Sequence, residues 1–237
     1  MKKFIIIFQL FFVCALFAAL LSFTLKSKSL EVQTINSIDI KNLGDSFVNE
    51  NQVYELLKYN GLIYEEQEVF DISSMELVIN NQPQIKDAQV FLNLNGSVDI
   101  SIKERNPILR VFESNSSYYL DEDCYLMPLS DSYTSRNLIA SGDINDFKIE
   151  DICGLSKFIE ADEFLKSLIS QIHFQKNNTV LITRIKNHNI NIGNLDLIEV
   201  KFDNLMCFYN NIIKYKGWDY YSSISLKYTD QIICSKN

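Results

Sequence analysis

The chain has 237 residues, 47% hydrophobic and 12% aromatic, enough to build one or two real cores, which excludes a disordered protein. Its formal charge of −8, with no cluster of Lys and Arg, gives no electrostatic ground for binding nucleic acid. Two histidines and seven glycines supply little for catalytic His arrangements or phosphate loops, so an enzyme is the minority reading.

After Met1-Lys2-Lys3, the run from Phe4 to Leu25 carries no charge, and a helix of that length crosses a hydrocarbon core of roughly 30 Å. No small-x-small cleavage site follows before Lys26, and Val13 is too bulky for a lipobox ahead of Cys14, so an uncleaved anchor is expected at 4–25. Lysines flank the run on both sides and nearly cancel as an orientation signal. A folded body of this size translocates largely regardless of charge, which leaves a cytoplasmic stub at 1–3, a linker at 26–34 and an exported body.

The body opens with an alternating strand around Ile38 and Ile40. A short helix is expected next, capped at Asn49, buried through Val53, Leu56 and Leu57 and stopped at Asn60-Gly61. A second, opened by Asp71 or Ser73, buries Met75, Val78 and Ile79 and ends before Pro83. Two alternating runs follow, Ala88, Val90, Leu92, Leu94 and then Val98, Ile100, Ile102, joined at Asn95-Gly96, the strongest short hairpin signal. Strand, helix, helix, strand, strand predicts an α+β domain with two helices on one face of a three-stranded sheet. Pro107 lacks an amide hydrogen, cannot continue a central ladder and suits a place where a strand leaves one sheet, so it marks the boundary to a second domain. Glu104 and Arg105 just before it are either interdomain contacts or a solvated strand end.

Farther on, "FLKSLISQI" is expected as a helix burying Phe164, Leu165, Leu168, Ile169 and Ile172. "NTVLITRI", "HNINIGN" and "LIEVKFD" read as strands, and "NLMCFYNNIIKYKG" as a helix with Leu205, Tyr209, Ile212 and Ile213 inward and Gly217 at its end.

The chemical candidates are sparse. Asp121, Glu122 and Asp123 lack the spacing and glycine of a calcium loop and read as a solvated turn. His188 is expected on a surface turn and His173 at a helix end. Cys124, Cys153, Cys207 and Cys234 show no Cys-x-x-Cys spacing, so no metal site is expected; free buried thiols are preferred, with one or two bridges possible outside the cytoplasm. Trp218, Tyr220 and Tyr221 form either a ligand shelf or cover for the last strand. Asn95, Asn115 and Asn177 begin Asn-x-Ser/Thr triplets, which carry little weight in a chain this rich in Asn and Ser.

The domain order beyond an N-terminal anchor looks like a POTRA domain, at 35–105. "ISIKERNPILRVF" is similar to the Glu-Arg-x-Pro junction of the FtsQ/DivIB family of bacterial cell-division proteins. "YYLDEDCYLMPLS" resembles that family's next hairpin and "YYSSISLKYTDQIIC" its closing strands, while "LIASGD" has Ile139 and Ala140 where a proline is expected. The resemblance implies a mainly antiparallel β-domain with packed helices at 106–237, an interdomain role for Glu104, Arg105 and Pro107, and no catalytic residues, cofactor or small-molecule substrate. It further implies a single-pass inner-membrane scaffold at the division site, its body periplasmic, binding FtsB-like and FtsL-like partners and controlling septal peptidoglycan synthesis. Tyr228, Asp230, Gln231, Ile232 and Ile233 would meet the FtsB-like partner, which joins a sheet edge as an added strand. The alternatives are a POTRA-type export or chaperone module, for which no barrel strands follow, and a cell-wall hydrolase, for which no catalytic set is present.

Overall fold

The computed structural model describes residues 38–42, 47–64, 70–94, 97–114 and 116–237, with 13, 15–17, 21 and 22, all helical, from the opening apolar run. The expected span at 4–25 and the Asn95-Gly96 turn thus lie largely outside the described residues. Among the described residues no helix is long and apolar enough to cross a membrane. The chain divides into two units, Met1–Lys41, Glu50–Ile79 and Ala88–Ser101 in the first, and Asn42–Asn49, Asn80–Asp87 and Ile102–Asn237 in the second.

The expected element order holds at the start: β1 (Ile38–Asn42), α1 (Glu50–Tyr59), α2 (Ile72–Asn80), β2 (Ile85–Leu92) and β3 (Val98–Glu104), with the strands ordered β1-β3-β2. Helix α1 ends as its sequence requires. Gly61, at φ +69°, lets its own N–H reach Lys58 O and that of Leu62 reach Leu57 O, which satisfies carbonyls left open by the last turn. Asp71 caps α2, its carboxylate accepting from the Ser74 amide at 3.0 Å and hydroxyl at 2.6 Å. In the first unit Val53, Leu57, Met75, Ile79, Ala88, Val90, Val98 and Ile100 are buried, and Glu76 accepts from the Val90 amide. Leu92, at the end of β2, and Leu94, beyond it, depart from the expected inward row: both are exposed.

The second unit is built on a nine-stranded sheet ordered β12-β11-β10-β9-β8-β7-β4-β5-β6. Its strands are β4 (Pro107–Phe112), β5 (Ser117–Asp121), β6 (Leu126–Pro128), β7 (Leu138–Gly142), β8 (Ile169–Gln175), β9 (Asn178–Thr183), β10 (Asn189–Gly193), β11 (Tyr221–Ser225) and β12 (Ile233–Lys236). Five pairings are antiparallel, while β4/β7, β7/β8 and β10/β11 are parallel, so the sheet is mixed. Helices α3 (Ile149–Ala161), α4 (Glu163–Leu168) and α5 (Ile198–Phe208), the last running through a π turn at Tyr209–Ile213 into α6 (Lys214–Lys216), supply one side of the core. There Ile152, Leu155, Ile159, Phe202 and Leu205 join Leu109, Val111, Ile172, Leu181 and Ile190 from the strands.

Two sequence expectations are corrected here, and one helix was not foreseen. Helix α3 had no counterpart in the reading. The expected helix over "FLKSLISQI" stops at Leu168; Asp162 caps α4 through the Leu165 amide, and Ile169 and Ile172 belong to β8. "LIEVKFD" is not a strand but the start of α5, whose buried Phe202, Leu205 and Phe208 recur at helical spacing while Val200 is exposed.

Candidate partner-binding edge

The residues read as a junction are all placed in the second unit, together with their partners. Glu104 is 6% exposed, and its carboxylate accepts from the Phe47 and Val48 amides, both at 2.9 Å. Buried amides must be paired, and an ionised carboxylate is the strongest available acceptor. The Arg105 guanidinium donates to Asp121 at 2.9 Å and lies 3.9 Å from the Tyr125 ring centroid, while its backbone N–H donates to Gln84 O. Pro107 is the first residue of β4, where no ladder donor is needed, and its carbonyl accepts from Asn137.

Asp121 corrects the solvated-turn reading. It is fully buried, and its other oxygen accepts from the Asp123 and Tyr125 amides, so one carboxylate shapes the whole β5–β6 turn. Glu122 and Asp123 reach Lys86 at 2.7 and 2.8 Å. Hydrogen bonding to Lys86 holds the Asp123 carboxyl below the usual range, and the two acids push the Lys86 ammonium up. Cys124 and Cys153 form a disulfide with Cα atoms 5.7 Å apart, which overturns the free-thiol preference for this pair; Cys207 and Cys234 are free. The β6 margin is thus tied by a buried ion pair, surface pairs and a covalent link.

At the opposite margin β12 pairs only with β11, in the register Ile224↔Cys234 and Ser225↔Ile233. The stretch read as closing strands is β11, a loop and β12. Leu226 is buried, its amide donating to Asn191 O, and Thr229 O accepts from Asn204. That pins the loop to the sheet and α5. Tyr228, Asp230 and Gln231 therefore stand on the loop, exposed; Ile232 packs on the core and Ile233, 52% exposed, opens β12. Beside Tyr228 and Asp230 runs a groove lined also by Leu197 and Lys201. Lys201 is buried, bonds the Asn194 backbone and side-chain oxygens at 2.8 and 2.9 Å, and has its pKa lowered by desolvation.

Beneath this edge lies a cluster that the sequence reading missed. His188, expected on a surface turn, is 2% exposed, with Nδ1 3.0 Å from the Tyr209 hydroxyl and Nε2 2.6 Å from the Trp218 carbonyl. A carbonyl only accepts, so Nε2 carries a proton and donates to it, while Nδ1 shares its hydrogen bond with the Tyr209 hydroxyl. The imidazole packs against the Tyr209 and Trp218 rings, with centroids at 6.2 and 5.8 Å, and those two rings are 5.2 Å from each other, a mutual cluster that assigns Trp218 to the support of the last strands. Burial pushes the Tyr209 hydroxyl pKa up. His173 is likewise not at a helix end but on β8, against Ser141. Among the described residues no group of three or more His, Cys, Asp or Glu could hold a metal ion.

No curated protein matches the chain. One solved structure, the major extracytoplasmic domain of the bacterial cell-division protein DivIB from Geobacillus stearothermophilus, is 13% identical. It covers 38% of this chain and 79% of its own at a TM-score of 0.26, an overlap too loose to support fold or function. The family model described as "FtsQ/DivIB, C-terminal related" matches residues 106–235, more than half of the chain and nearly all of the nine-stranded sheet with its helices. The chain therefore belongs to the FtsQ/DivIB C-terminal related family of cell-division proteins.

Proposed function

We propose that the chain is a non-enzymatic scaffold of the bacterial division machinery. An inner-membrane span at 4–25 anchors it, and a POTRA-like domain at 35–105 precedes a periplasmic β-domain at 106–237 that takes up FtsB-like and FtsL-like partners and thereby helps control septal peptidoglycan synthesis. The observation that carries the reading is the open β12 edge at the end of the family-matched span. An exposed edge offers backbone donors and acceptors to an added strand, and the flanking Tyr228 and Ile233 side chains supply apolar contacts. The Cys124–Cys153 bridge fits an oxidising compartment outside the cytoplasm. Glu104, Arg105 and Pro107 act in this reading as the buried frame that sets how β4 enters the large sheet.

The test is the affinity of the full chain for an FtsB-like periplasmic peptide before and after deletion of Ile233–Asn237. The reading expects a loss of well over tenfold; unchanged affinity, or no binding to the parent chain, rejects it. Activity of a periplasm-dependent reporter fused after Asn237, with retention of Phe4–Leu25, checks the topology.

A further inference from the structure

The side of the large sheet away from the helices carries a chemistry that the edge reading leaves unused. Strand register places Arg110, Ile139, Gln171, Ile182, Asn189 and Ser223 in one row across six strands. Beside it runs a second row, Ser141, His173, Val180, Asn191 and Ser225. Successive residues alternate faces, and the buried neighbours Leu109, Ala140, Ile172, Leu181, Ile190 and Ile224 belong to the helix-covered core. The two rows are half-buried, apart from exposed Asn189, and a recess of His173, Val180, Asn189, Asn191, Ser223 and Ser225 lies among them.

Two features make this face receptive rather than merely polar. In a chain of formal charge −8, neither row contains an Asp or Glu. At its end stands Arg110, half-buried, whose guanidinium lies over the Phe112 ring at 4.8 Å and the Tyr119 ring at 5.6 Å but makes no hydrogen bond or ion pair with any described residue. Its Nε is a buried donor without a partner. A buried donor without a partner is costly, and a carboxylate reaching that edge of the guanidinium would satisfy it. In the middle, the Gln171 amide donates to the Ser141 hydroxyl at 2.7 Å, and that hydroxyl faces His173 Nδ1 at 3.0 Å. With the Gln171 amide donating to it, the Ser141 hydroxyl can donate onward to Nδ1, and Nε2 makes no hydrogen bond with a described residue. Gly142, at φ +95°, keeps this arrangement open, because a Cβ there would meet Phe174 O at 2.1 Å and the His173 ring at 3.0 Å.

We propose that this face binds an extended acidic peptide segment of a partner protein, laid across the strands, with a carboxylate on Arg110 and its backbone amides read by His173, Asn189 and Asn191. Charge complementarity selects the occupant: one unpaired cation, neutral donors and acceptors, and no acid to repel it. Six strands at about 4.8 Å spacing give a track of about 24 Å, the reach of seven or eight extended residues.

The test is fluorescence anisotropy of the full-length chain with labelled octapeptides bearing Asp at either end, against the same peptides bearing Asn or Lys there. Asp-ended peptides bind and the Asn and Lys versions are weaker. Arg110→Gln lowers affinity by about tenfold or more, the scale of a charge-assisted contact. Ser223→Asp, which adds an acid to the face without touching the core, weakens binding too, and deletion of Ile233–Asn237 leaves it unchanged. Equal binding of Asp-ended and Asn-ended peptides, indifference to both Arg110→Gln and Ser223→Asp, or loss of binding on the C-terminal deletion overturns the proposal.

Discussion

The two margins of the nine-stranded sheet end in opposite ways. At β6 the edge strand has three residues, finishes at Pro128, and follows a turn bound by Asp121, Lys86 and the Cys124–Cys153 bridge. At β12 the edge strand has four residues without a proline and a loop that exposes Tyr228. Edge strands are aggregation hazards unless shortened, blocked or covered. One margin is short, ends in a proline and is pinned by the ion pairs and the bridge, the other is not, and the use proposed for that difference is pairing with a partner strand.

The largest expected effect comes from breaking the closed margin. Asp121→Ala removes the acceptor for Arg105 and for two turn amides, and breaking a pair this buried costs about 3–5 kcal/mol, read as a fall in the denaturation midpoint of the second unit. Next comes the disulfide. Replacing Cys124 and Cys153 together by Ala opens a loop of 29-residue separation, for which chain entropy gives roughly 3–4 kcal/mol of lost stability in a thermal melt. Glu104→Gln keeps the shape but weakens two charge-assisted bonds to Phe47 and Val48, an expected loss of about 1–3 kcal/mol by urea unfolding. None of these changes should alter partner affinity per folded molecule; if one does, the margins are not independent.

The smallest effect is acid sensitivity, and it too should separate the margins. The pairing with Lys86 depresses the folded pKa of Asp123, so its stabilisation is present above the unfolded value, about 3.9, and fades as pH falls through the folded one. Hydrogen exchange in the β5–β6 turn should rise over that window, and in Lys86→Met it should be fast already at neutral pH. Exchange in β12 should show no matching step.

Elements whose periodicity met a local stop signal were legible in the chain: α1 with its Gly61 turn, α2 with its Asp71 cap, and the order of the first five elements. Where the local signal conflicted with tertiary packing, the reading failed. Ile198, Val200 and Phe202 alternate like a strand, yet the period that counts continues through Leu205 and Phe208. Helix α3 starts at Ile149 behind Lys148, which makes no side-chain cap, so only the helical spacing of Ile152, Leu155 and Ile159 announced it. The buried polar residues were least legible. Asp121 and His188 look like turn surface because the groups that satisfy them, Arg105 for one and Tyr209 and Trp218 for the other, lie far off in sequence. Resemblance named Tyr228 and Ile233 as partner residues without showing which side chains point outward; the loop that separates β11 from β12 and exposes both was not legible.

The most direct test of the open-edge account is photocrosslinking in cells. A photoreactive residue placed at Ile233 should capture an FtsB-like partner, and one placed at Leu126 on the closed margin should capture none. Both positions are exposed and lie on edge strands, so accessibility alone would label them alike. Capture from Leu126 with none from Ile233 would contradict the account.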